Sequence, residues 1–233
     1  MSAEPLRLFE DPVDEQDFSW STRVSTRARR IRVIVDHDGA VEVVLPRRCT
    51  RADAERAVEE LRPWILARLG DVNAVRERLG RRAGTVPYLG EELTLVPERG
   101  RARVHRRGSQ LLVPLDATAQ AEALERWYRR QARVEIEPML DACVAALGVS
   151  YSALTIRNQR TRWGSCSSTG AMSFNWRLLL APPAVLDYVV WHEACHLVVM
   201  DHSPRFWALV AQHLPGYREP QRWLRQYGSG LQL

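Results

Sequence analysis

The chain has 233 residues, 45% apolar and 26% charged, an ordinary balance for a soluble globular protein with one large domain or two small ones. No apolar run approaches the roughly 18 residues a bilayer span needs. The acidic first 20 residues do not form a secretory signal, so a cytoplasmic protein without a membrane partner is expected. All 33 positive residues are arginine, and the formal net charge of +5 permits an anionic partner, nucleic acid included, without indicating one.

Residues 1–20 show little periodic pattern and are expected to be a loose tail. Residues 30–35 alternate charged and apolar side chains, Asp38-Gly39 supplies a turn, and residues 41–45 resume the pattern, which predicts a hairpin. Thr50 reads as the N-cap of an amphipathic helix over residues 52–69. Short strands are expected over 85–89, 92–96 and 110–113, with the Arg99–Arg107 run a solvated hairpin. Residues 21–115 therefore read as a small, mainly β lobe with one helix.

A long helix comes next, over residues 119–147, kinked or broken at Pro138 and ended by Gly148. Strands are expected over 154–157 and 171–176, joined by the stretch 160–170, and residues 116–233 form the second domain of an α+β protein. Trp163 and Trp176 read as core. Cys49, Cys143, Cys166 and Cys195 contain no C-x-x-C pair, so neither a cysteine zinc site nor a disulfide framework is expected.

Pro182-Pro183 opens the next helix, whose apolar face is Val185, Leu186, Val189, Val190, Leu197 and Met200. It carries His192-Glu193-Ala194-Cys195-His196. Residues four apart lie on one face, so both imidazoles reach one ion, while Glu193 is displaced by about 100° and can address a metal-bound water. A catalytic zinc takes three protein ligands and leaves a position open, and His202 is the third candidate. Ser203 reads as an N-cap and Pro204 as the start of a helix over 204–214, which places His202 at a corner. The spacing to His202 equals that of metzincins, but Val199 stands where they have glycine; the turn is expected at Asp201-His202-Ser203 instead. Only Cys166 or Asp201 could supply a fourth ligand.

Arg162-Trp163-Gly164-Ser165-Cys166-Ser167, Phe174-Asn175-Trp176-Arg177-Leu178, Leu180-Ala181-Pro182-Pro183, Asp187-Tyr188-Val189-Val190, the histidine pair and His202-Ser203 together resemble the YgjP-like metallopeptidase family. The resemblance spans about residues 22–227 and is most specific over 162–207. It implies a zincin-like core, in which a short sheet lies over an H-E-x-x-H active-site helix. It also implies zinc as cofactor on His192, His196 and His202, with Glu193 catalytic. Some members are described as UTP pyrophosphatases, so both a peptide and a nucleotide are candidate substrates.

Gly164 and Ser165 could bring backbone close to a substrate, and an edge strand above the metal suits an extended peptide. Arg157, Arg160 and Arg162 could instead grip phosphates, or form a solvated face. Asn175 reads as a substrate contact or as a partner of a ligand histidine. His37, His105, His213, Tyr217 and Trp223 read as surface or packing residues. Three functions compete: peptide hydrolysis, hydrolysis of a nucleoside triphosphate, and a nucleic-acid-binding or scaffold protein with structural zinc.

Overall fold

The computed structural model describes residues 18–35, 39–78, 82–159 and 162–233; most of the expected tail, His37, Asp38 and Arg160 lie outside them. The described residues form five helices and three small sheets, a mixed α+β architecture, and none of these helices is long and apolar enough to cross a membrane. They fall into two compact units, divided in sequence between Leu69 and Gly70.

In the first unit, β1 (Trp20–Ser25), β2 (Arg32–Val35) and β3 (Val41–Pro46) form a sheet in the order β1-β3-β2. β2 runs antiparallel to β3, as the alternation predicts, and β1 runs parallel to it. The expected tail is corrected at its end, because Phe18 and Trp20 pack on the core of this unit. β1 gives no alternation signal since Ser21, Thr22, Arg23 and Val24 are all exposed; pairing with β3 and the Arg23–Glu42 ion pair hold it. α1 (Arg51–Arg78) opens on a reciprocal cap. The Thr50 N–H donates to the Asp53 carboxylate at 2.7 Å, and the Asp53 N–H donates to Thr50 Oγ1 at 3.3 Å. Ala54, Val58 and Ile65 of this helix are buried with Val41, Val43 and Leu45.

In the second unit, β4 (Thr85–Tyr88), β5 (Glu91–Glu98), β6 (His105–Arg107) and β7 (Gln110–Pro114) form a sheet in the order β4-β5-β7-β6. The boundary expected at residue 115 does not separate this sheet from the long helix after it. Val86, Leu93, Leu111 and Val113 share one core with Trp127, Tyr128 and Ile136 of α2 (Ala117–Leu147). α2 is capped by Asp116, which accepts the Ala119 N–H at 2.8 Å, and by Gly148 at φ 67°. It runs through Pro138 without the break that was one of the two expected outcomes there. Pro138 and Val134 both lie on the exposed face of the helix, where the loss of the Pro138 N–H donor is least costly.

β8 (Ala153–Arg157), β9 (Gly164–Cys166) and β10 (Ala171–Asn175) form the last sheet, with β10 central, parallel to β8 and antiparallel to β9. A 3-10 turn (Trp176–Leu180) leads to α3 (Pro183–Cys195), then α4 (Pro204–His213) and α5 (Arg218–Tyr227). Trp176 is buried as expected, against Tyr128.

Candidate metal centre

α3 is held by Val185, Leu186, Val189, Val190, Ala194 and Cys195, all buried. His192 stands in its last turn, and the helix ends at Cys195. The backbone then tightens. The Leu197 N–H donates to Ala194 O, and the Val198 and Val199 N–H groups both donate to Cys195 O, each at 3.0 Å. Met200, expected on the buried face, therefore lies beyond the helix and is exposed. The Asp201 carboxylate accepts the Ser203 N–H at 3.0 Å, an Asx turn that carries His202 back over α3. Ser203 does occupy the N-cap of α4, but its side chain makes no capping bond. The reversal uses no left-handed residue, since Leu89 is the only non-glycine residue with positive φ among those described. This is how Val199 replaces a glycine.

The reversal brings one ring nitrogen from each of His192, His196 and His202 within 4.8 Å of the others. His192 Nε2 and His202 Nε2 are 3.0 Å apart. A tetrahedral zinc with Zn–N bonds of ~2.0 Å separates its nitrogens by roughly 3.3 Å, a spacing that the His192–His202 pair approaches. His196 Nδ1 lies 3.0 Å from Val199 O, and a carbonyl only accepts, so Nδ1 carries the proton and Nε2 offers its lone pair. Burial, then the two neighbouring imidazoles, push His192 down to about 3; burial also lowers His196. Both rings are held neutral, the form that binds metal. Neither Cys166 nor Asp201 joins the cluster among the described residues.

Phe206, which no sequence motif singles out, lies fully buried beneath all three rings. Its centroid is 4.4 Å from His196, nearly stacked, and 4.9 Å from each of His192 and His202. Its spacing of four from His202 is the one signal the sequence holds for it. Phe206→Leu should lower the metal affinity of the cluster about tenfold by loosening the rings. A chelator competition titration measures it, and an unchanged affinity would remove Phe206 from the site.

Glu193 is buried beside β9. Its carboxyl is raised to about 7 by burial, against the opposing pull of the Arg162 guanidinium and a hydrogen bond from the Cys166 N–H. Gly164 makes the seat possible, because a Cβ there would stand 2.5 Å from Glu193 Cγ and 2.7 Å from Oε1. The backbone approach expected between Gly164 and a substrate is thus made, in the first place, to Glu193. A cavity of about 450 Å³ opens over these groups, lined by Arg162 through Cys166, the three histidines and Glu193, with Tyr188, Val189, Met200 and Leu224 completing the wall.

Arg162 and Ser165 line this cavity, although the Ser165 hydroxyl is shared with Ser173 at 2.8 Å. Asn175 does not line it. Fully buried, it donates to Gln159 O at 2.7 Å and Arg162 O at 3.3 Å and accepts the Arg177 N–H, so it clamps the backbone leading into β9 rather than a substrate or a ligand ring. Trp163 is half-buried: it packs against the core as expected and also lines the cavity wall. Tyr217 stacks on Tyr188 and Trp207, Trp223 lies beside Tyr227, and His213 stacks on Trp191, all packing roles.

A family model described as YgjP-like, metallopeptidase domain, matches residues 29–227. Among solved structures, the metallopeptidase zymogen of Pyrococcus abyssi abylysin is similar at 23% identity, covering 40% of this chain and 95% of that one, with a TM-score of 0.36. Nothing matches among the curated proteins.

Proposed function

Because the chain belongs to the YgjP-like metallopeptidase family, and is at that level a metal-dependent hydrolase, we propose that it is a zinc peptidase with His192, His196 and His202 as ligands and Glu193 as general base. The observation that carries this reading is the convergence of three imidazoles on one point, with a buried carboxylate beside it. Zinc bound there supplies Lewis acidity that polarises a carbonyl and acidifies water.

The side chains do the rest. Glu193 takes the proton of the attacking water and passes it to the leaving amine nitrogen. The strand β9 orients the peptide. Its register opposes Ser165 to Ser173, while Asn175 N–H donates to Trp163 O and Ser167 N–H to Ala171 O. The Trp163 carbonyl, the Ser165 backbone and the Ser167 N–H therefore face β10, and the polar groups of Gly164 and Cys166 point to the other edge. The Cys166 N–H is taken by Glu193, which leaves the Gly164 N–H and C=O and the Cys166 C=O for an extended peptide. Arg162 on the cavity wall offers charge to a substrate carbonyl or carboxylate.

Arg162 also favours a second reading, hydrolysis of a nucleotide phosphoanhydride, as in a UTP pyrophosphatase. That reading is weaker, because Arg162 is the only cationic side chain lining the cavity among the described residues. A purely structural zinc is weaker still, since a closed site needs a fourth protein ligand. The four free cysteines suit a reducing cytoplasm. Zinc-loaded protein offered an unfolded protein substrate and a panel of nucleoside triphosphates should release new amino termini and no pyrophosphate. Pyrophosphate release alone would transfer the assignment to the second reading.

A further inference from the structure

We propose that one end of the first unit's sheet is a docking surface for the phosphate backbone of a nucleic-acid duplex. It is formed by Arg27, Arg29, Arg30, Arg32, Arg47 and Arg48. The topology gathers them. Ser25 ends β1 opposite Pro46, where β3 also ends, and Arg32 opens β2 opposite Val44. The segments 26–31 and 47–50 therefore leave from the same end of the sheet. Each begins in a hydrogen-bonded turn, Ala28 N–H to Ser25 O at 3.3 Å and Cys49 N–H to Pro46 O at 3.0 Å, so the arginines are presented on tight corners.

All six side chains are exposed, and none is paired with a carboxylate among the described residues. Other arginines of the same unit are paired: Arg23 with Glu42, Arg51 with Glu55, Arg56 with Asp53 and Arg62 with Glu59. Neither segment contains an acidic residue. With strands about 4.8 Å apart, the uncompensated charges crowd a narrow front. A duplex offers one phosphate charge per ~1.7 Å of its axis, and each guanidinium fork matches a phosphate bidentately.

Single strands and membranes fit less well. Neither segment carries an aromatic side chain on which unpaired bases could stack. Their apolar side chains Ile31 and Cys49 are packed against the core and cannot enter a bilayer. The surface reads charge and shape, not sequence.

The test uses the full-length, zinc-loaded protein and labelled DNA and RNA duplexes of mixed sequence across a salt series. Binding to either duplex should weaken steeply with salt, with log K falling by about 0.9 per phosphate contact for each log unit of salt. The variants R27Q/R29Q/R30Q and R47Q/R48Q should each flatten that slope and weaken binding about tenfold or more near 0.1 M salt. R126Q/R129Q/R130Q on α2 removes the same charge as the triple variant and should leave binding intact. DNA alone, RNA alone or both as ligand would support the surface and identify the source. Equal loss in the α2 variant, equal affinity for single strands, a preference for poly-glutamate or anionic vesicles, or no salt-dependent binding would each overturn it. Circular dichroism confirms that the variants fold.

Discussion

Glu193→Gln should abolish most of the hydrolysis while leaving the zinc in place. Glutamine has the same shape, and its carbonyl can still accept the Cys166 N–H that holds the native side chain. The three histidine rings are untouched, so metal content and melting temperature should match the parent. What is lost is the ability to take a proton from water. Removing a general base costs about 10²–10⁴-fold in rate, or roughly 3–5 kcal/mol of transition-state stabilisation. Turnover of a peptide substrate, measured beside zinc content, separates this from a folding defect. A variant that keeps near-parental turnover would take the catalytic role away from Glu193.

Gly164→Ala should be nearly as damaging, through position alone. The added methyl would lie 2.5 Å from Glu193 Cγ, 2.7 Å from Oε1 and 2.9 Å from Cδ, well inside contact distance. Since Cγ is close to the root of the side chain, a swing of the carboxylate does not relieve the clash. Either β9 moves away from α3 or Glu193 leaves its seat. We expect a rate loss of about 10²-fold or more and about 1–3 kcal/mol of stability from the overpacking. A double-mutant cycle gives the decisive readout: if Gly164 acts through Glu193, Gly164→Ala should cost little further rate in the Glu193→Gln background. Additive losses would show that the glycine serves something else.

The histidine cluster is legible in the sequence because helix periodicity alone puts His192 and His196 on one face, and because Ser203-Pro204 marks a corner beside His202. The turn is less so. Residues 201–203 carry its sequence signal, yet it begins already at His196, where the last helical amides close back on Ala194 and Cys195. Such a reversal needs no glycine, so it leaves no composition signal. The supporting groups are invisible for a related reason. Phe206 under the rings, Glu193 against Gly164 and Asn175 clamping the entry to β9 are contacts between elements, and one-dimensional periodicity does not report them. β1 and β6 are unreadable because their side chains are mostly exposed and polar; they are held by pairing with β3 and β7 instead. Gly164 stands out in sequence as a place for close backbone approach, and the structure supplies the partner for that approach in Glu193.

On the reading proposed for this site, His202 completes a three-imidazole metal centre whose other members stand at the end of α3. Zinc content of the purified protein and of His202→Ala, each dialysed against a competing chelator, tests it most directly. One equivalent of zinc in the parent, with affinity lowered by about a hundredfold or more in the variant, is the predicted result. A variant that holds its full equivalent against the same chelator would contradict the site.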